Sequence, residues 1–179
     1  MIYSIDAGGV IAAVDERWAD FFRENSPAGD RMREPKGTLL WSHISDPTTV
    51  HLYEVMLSRV RRTGKPLVVP FRCDAPDRRR YMEMKIDALP GGAIRFTTVL
   101  LREEPRRWMP LVEPRPRFSA KLVRMCGWCK RVAVPDWVEV EEAVRRLNWF
   151  EPETEVPGVT HTICDTCANA LLEELERPE

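Results

Sequence analysis

Two C-x-x-C units constrain this chain more than any other feature. They are Cys126-Gly127-Trp128-Cys129 and, after 34 intervening residues, Cys164-Asp165-Thr166-Cys167. Two thiolates separated by two residues can face one ion when the backbone between them turns tightly. Two such turns complete a tetrahedron, and Zn²⁺ favours four soft ligands at roughly 2.3 Å. The long spacing between the pairs is no obstacle, because loop-closure entropy grows slowly with length. In a reducing compartment, paired C-x-x-C units read as metal ligands before they read as disulfides. The expected ligands are therefore Cys126, Cys129, Cys164 and Cys167, holding a structural Zn²⁺. Four reduced core thiols, an iron–sulfur cluster or a reversible disulfide are the alternatives. His161, three residues before Cys164, could replace a cysteine or donate a hydrogen bond to one.

The chain has 179 residues, enough for one domain of usual size or a small domain plus a smaller one. Apolar residues make up 44% and charged residues 31%, which allows a packed core and argues against disorder. The net charge of −1 is not that of a polycation built for nucleic acid. No apolar run is long enough to span a bilayer, and MIYSIDAGGV lacks a basic region and a hydrophobic signal segment. The expectation is a soluble cytoplasmic protein with no membrane partner.

Three segments are expected. Residues 102–119, REEPRRWMPLVEPRPRFS, hold Pro105, Pro110, Pro114 and Pro116, which oppose helix and central strand. They read as a semi-rigid linker. Trp108, Met109, Leu111, Val112 and Phe118 suggest that it lies against something. Residues 120–179 carry seven basic and twelve acidic side chains, a net −5, which leaves +4 for residues 1–119. A cysteine-rich unit of this size is marginal without a staple. Structural zinc contributes roughly 10–16 kcal/mol of apparent binding free energy, which becomes folding free energy if the site is unformed without metal. Four thiolates on Zn²⁺ leave a net negative centre, which Lys130 and Arg131 could offset.

Residues 1–101 read as mixed α and β. Ile2–Ile5 and Val10–Val14 are strands around the turn Asp6-Ala7-Gly8-Gly9. Asp15 caps a helix to about Glu24, with Trp18, Phe21 and Phe22 inward. A polar loop over 26–37 follows, then a short buried turn with Leu39, Leu40, Trp41 and Ile44. Asp46 caps the next helix, with Pro47 first and Gly64 last. Its Tyr53, Met56, Leu57 and Val60 form one apolar stripe. Strands follow over Pro66–Cys73, Arg79–Leu89 and Ala93–Leu101. In the middle strand Tyr81, Glu83, Lys85 and Asp87 alternate with Met82, Met84, Ile86 and Ala88, so one face is wet and one buried. In the tail, Val140, Ala143, Val144 and Leu147 form a helical stripe, and a terminal helix is expected over Cys167–Glu176.

This order of elements resembles the PAS sensor fold over about residues 1–101. The pieces that carry the resemblance are IDAGGVIAAVDERWADFF, GTLLWSHISDP leading into a helix that ends RRTGKP, VVPFRCDAPDRRRYMEMKI and LPGGAIRFTTVL. It implies an α+β fold, an antiparallel five-stranded sheet with helices on one face, serving as a ligand-sensing or protein-interaction module. Residues 120–176, through MCGWCKRV, W-V-x-V-E-E-A and THTICDTCANALL, resemble a cysteine-rich module that follows PAS or response-regulator domains in bacterial signalling proteins. That resemblance implies a small metal-binding accessory unit. The segment EPETEVPG departs from it in length and acidity.

Other chemistries find less support. His43 and His51 are the available haem nitrogens, but both read as capping or surface residues, and no haem is expected. No N-C-R-F-L-Q string is present, so no flavin is expected, and Cys73 reads as inert. A ligand pocket could draw on Trp41, Tyr53, Met56, Leu57, Met82 and Met84, although such stripes are first of all core. The arginines at 59, 61, 62 and 78–80 read as solvated faces, so nucleic acid is not the expected partner. No hydrolase, phosphate-loop or metalloprotease motif appears, and a closed four-cysteine site leaves no position for an activated water. The expectation is a non-enzymatic signalling protein that binds a protein partner or a second copy. A thiol redox sensor and a nucleic-acid adaptor are the alternatives.

Overall fold

The computed structural model describes residues 1–20, 35–44, 46–112, 121–149 and 157–176. Strands β1 (Ile2–Ile5) and β2 (Ile11–Val14) form the opening hairpin. Asp6 Oδ1 accepts from the Val10 amide at 3.0 Å and closes the turn. Gly9 completes it with φ 85°, and a Cβ there would lie 3.2 Å from the Trp41 indole nitrogen. The next helix is under way at 17–20, but Phe21, Phe22 and most of the expected polar loop lie outside the described residues.

Helix α1 (Pro47–Thr63) has the ends its sequence predicts. The Asp46 carboxylate accepts from the Thr49 amide at 2.8 Å, and Gly64 stops the helix in the left-handed region. Met56, Leu57 and Val60 are buried to 1% exposure or less, and Leu52 joins them. Strands β3 (Leu67–Arg72), β4 (Arg78–Ala88) and β5 (Ile94–Pro105) complete an antiparallel five-stranded sheet in the order β2-β1-β5-β4-β3. Its inner face carries Ile5, Leu67, Val69, Met84, Ile86, Ile94 and Phe96, packed with α1 into one core. The fold is mixed α/β, with the expected antiparallel sheet of five strands.

Strand β5 runs past its expected end at Leu101 to Pro105, into the proline-rich stretch. Two features permit this. A register shift beside Tyr81 absorbs one residue of β5, and Pro105 pairs only at the far tip, opposite Arg78. A proline at a strand end removes no central ladder bond. Beyond it, Met109 and Leu111 are buried, whereas Trp108 is exposed. Phe118 lies outside the described residues.

A second, four-stranded sheet has the order β8-β7-β6-β9. Its strands are β6 (Leu122–Cys126), β7 (Val132–Ala133), β8 (Trp137–Val138) and β9 (Gly158–Thr162). β6 and β9 run parallel, with Cys126 opposite Thr162. Helix α2 (Val140–Arg146) buries Val140, Ala143 and Val144 against Met109, Leu111, Met125, Val132 and Trp149. Leu147, expected on that stripe, is 38% exposed. Helix α3 (Asp165–Glu176) begins two residues before its expected start at Cys167. The two sheets share a core: Trp128, Ile163 and Leu171 pack into the cluster that contains the inner face of the first sheet. Among the described residues no helix is long and apolar enough to cross a membrane.

Candidate metal centre

The parallel pairing of β6 with β9 builds the site. It places the end of β6, where the first C-x-x-C begins, beside the end of β9, two residues before the second. The first knuckle is a tight turn closed by backbone bonds. The Lys130 amide donates to the Cys126 carbonyl at 3.0 Å, and the Cys126 amide donates to the Arg131 carbonyl at 2.8 Å. Lys130 sits at φ 62°, the left-handed conformation that lets the chain fold back after Cys129. The Gly127 amide donates to the Thr162 carbonyl at 2.7 Å, fixing this knuckle to β9. The second pair lies at the start of α3, where unpaired amides and the helix dipole favour negative charge.

The result is a cage of four sulfurs. The Sγ atoms of Cys126, Cys129, Cys164 and Cys167 all lie within 4.8 Å of one another. Cys129 Sγ and Cys164 Sγ are 3.7 Å apart. A tetrahedron with Zn–S bonds of about 2.3 Å has edges of about 3.8 Å, so the spacing fits that ion. Cys126 and Cys164 are fully buried, whereas Cys129 and Cys167 are partly exposed. Cys126 Sγ also accepts from the amides of Cys129 at 3.5 Å and Cys164 at 3.4 Å. Such bonds stabilise a thiolate.

The thiols respond to this crowding. Hydrogen bonds from the Cys129 and Cys167 thiols, aided by the two amides, hold Cys126 far below the ordinary thiol range. The hydrogen bond with Cys126, together with its charge and burial, pushes Cys129 up to about 12. Cys126 and Cys129 likewise push Cys167 far up. The Cys126 thiolate is therefore favoured in the cage, whereas ionising Cys129 or Cys167 beside it calls for a cation. A divalent metal ion held by the four sulfurs would supply that charge.

The other candidates lie elsewhere. Among the described residues His161 is not part of the sulfur cluster, and it is exposed on β9. Lys130 Nζ donates to the Gly127 carbonyl at 2.8 Å, and Arg131 pairs with Glu139. His43 bonds the Thr38 hydroxyl at 2.8 Å, and His51 is exposed on α1. Cys73 is a free, half-buried thiol. Of the expected pocket residues, Met56 and Leu57 are buried in the core. Trp41 and Leu57 border one cavity, and Tyr53 and Met84 border another.

A buried charge network joins the two sheets, and sequence reasoning did not single it out. The Asp74 side chain is fully buried, pairs with Arg72 and lies 3.1 Å from Arg106. Arg72 reaches Glu139 at 2.7 Å, and Arg79 reaches Glu141 at 2.8 Å, across to the segment that starts α2. The Arg72 amide also donates to the Trp128 carbonyl at 2.7 Å, so β3 is bonded to the first knuckle. The opposite net charges of the two halves were the one sequence signal of this arrangement.

Comparison of the chain with protein-family models, curated proteins and solved structures returned no match.

Proposed function

We propose that this is a non-enzymatic signalling or interaction protein, in which a PAS-like sensing unit is coupled to a structural zinc unit. The observation that carries the reading is the sulfur cage packed against the five-stranded sheet. Four thiolates fill a tetrahedral shell and leave no open position for substrate or activated water. The metal's work is then to hold the knuckle and α3 on the sheet. The antiparallel sheet with α1 over its inner face agrees with a PAS-like sensor, which would act in the cytoplasm through a protein partner or a second copy.

The arginines fit a protein-interaction role better than a nucleic-acid one. Arg72, Arg78, Arg79 and Arg106 each face a carboxylate. The partial exposure of Cys129 and Cys167 favours a second reading, a thiol redox sensor that releases its metal on oxidation.

Metal analysis with chelator challenge tests the proposal. One equivalent of zinc, with loss of folded structure on removal, is expected. Less than about half an equivalent, with folding indifferent to chelator, overturns it. Thiol titration under mild peroxide separates the second reading, because a purely structural site resists oxidation.

A further inference from the structure

A cavity of about 270 Å³ lies where the first knuckle meets the inner face of the sheet. Its walls come from several parts of the fold. Tyr3 is on β1, Tyr53 on α1, and Phe71 and Met84 on β3 and β4; Trp128 and Lys130 come from the knuckle itself. The body of the cavity is apolar and aromatic. Tyr3 stacks on Phe96 at 4.5 Å, and Tyr53 meets Trp128 edge-on at 5.6 Å. The volume falls just below the ~300–1,000 Å³ of sites for drug-sized molecules, which suits a smaller metabolite.

Several polar groups on this wall are donors whose hydrogen-bonding capacity is not filled, whereas the Thr98 hydroxyl is spent on the Met1 carbonyl at 3.2 Å. The Tyr53 hydroxyl reaches only the Met84 sulfur, at 4.0 Å. The Tyr3 hydroxyl has no hydrogen-bond partner among the described residues. The Trp128 indole N–H is buried without a partner. Lys130 gives one of its three protons to the Gly127 carbonyl and makes no ion pair among the described residues. No carboxylate side chain lines the cavity among the described residues. Arg72, also on the wall, is already matched by Asp74 and Glu139. A donor-rich, acid-free cavity with an aromatic body is complementary to an anion that brings acceptors and an apolar group.

We propose that this cavity binds a small carboxylic acid with an apolar body, and that its occupancy is coupled to occupancy of the sulfur cage. The carboxylate takes the Lys130 ammonium and a phenol hydroxyl, and the apolar body lies among Tyr3, Tyr53, Phe71 and Met84. The coupling follows from the chain path. Gly127, Trp128 and Lys130 form one wall, and Cys126 and Cys129, which bracket that turn, are half of the metal shell. A metal that fixes the turn fixes the wall, and by linkage a bound acid strengthens metal binding by the same factor. This inference rests on the sensor reading above and names its ligand class.

The test uses the full-length, metal-loaded chain. Benzoate, phenylacetate and isovalerate are titrated against it by calorimetry, with phenylacetamide as the neutral match. At least one acid is expected to bind, phenylacetamide at least about tenfold more weakly than phenylacetate. Lys130→Gln should weaken the acid at least about tenfold, with metal content and circular dichroism measured on the same sample so that only a variant with an intact cage is scored. Tyr53→Phe should weaken it less, and Arg62→Ala, on the separate cavity beside Trp41, should leave it unchanged. The bound acid should also slow metal transfer to a chelator. The proposal is overturned if no acid binds, if acid and amide bind alike, if Lys130→Gln binds as the parent does, or if the metal-free chain binds equally well. A sample that takes up no metal sinks the zinc reading; full metal content with no acid bound sinks only the cavity.

Discussion

Replacing Asp74 by alanine should destabilise the protein by about 3 kcal/mol. Its carboxylate is fully buried, pairs with Arg72 and Arg106, and accepts from the Arg80 amide at 3.3 Å. Removing one partner of a buried pair strands the other charge and typically costs ~3–5 kcal/mol. Two features place this case at the low end. Arg72 retains Glu139, and Arg106 retains Glu141 at 3.5 Å, and both carboxylates are partly exposed. The assay is urea unfolding of the metal-loaded chain, compared with Glu139→Gln. Glu139 is 37% exposed, and its glutamine replacement leaves the buried Arg72 paired with Asp74, so this loss should stay near ~1 kcal/mol. Asp74→Ala should therefore be well separated from Glu139→Gln. Equal effects, or a loss below about 1 kcal/mol for Asp74→Ala, would refute the view that a buried charge cluster joins the two sheets.

Further predictions concern the core, a helix end, the cage and pH. Met56→Ala, at a fully buried position on α1, should cost ~2–5 kcal/mol by denaturant titration. Gly64→Ala forces a β-carbon into the left-handed region at φ 68° and should cost about 1 kcal/mol, read as a lower midpoint with an unchanged slope. Cys126→Ser removes the sulfur that accepts both amide bonds and should abolish stoichiometric zinc, measured by elemental analysis. Burial raises the Tyr53 phenol to about 12 in the folded chain. The neutral form is thus favoured by folding, so this stability is complete below the unfolded value of ~10 and is lost as pH rises through about 12. Tyr53→Phe should flatten the alkaline stability profile; an unchanged profile would contradict the assignment.

Local chemistry made much of the fold readable. Asp46, Pro47 and Gly64 mark both ends of α1 because each satisfies or removes a terminal backbone group. The alternation from Tyr81 to Ala88 marks β4 because one face is buried. The two C-x-x-C units marked the sulfur cage because their spacing is itself a ligand geometry. What escaped depends on partners distant in sequence. Pro105 suggested a break, yet β5 continues because the proline falls opposite Arg78 at the hairpin tip. Asp74 lies between two strands in the sequence, and only the fold brings Arg106 beside it together with Arg72. Trp128 packs against the first sheet, where the Arg72 amide bonds its carbonyl, a contact that local sequence does not encode.

X-ray absorption at the zinc edge of the metal-loaded protein tests the central claim most directly. The account predicts a shell of four sulfurs at about 2.3 Å, with no nitrogen or oxygen neighbour. A shell containing light atoms, or fewer than four sulfurs, would contradict it.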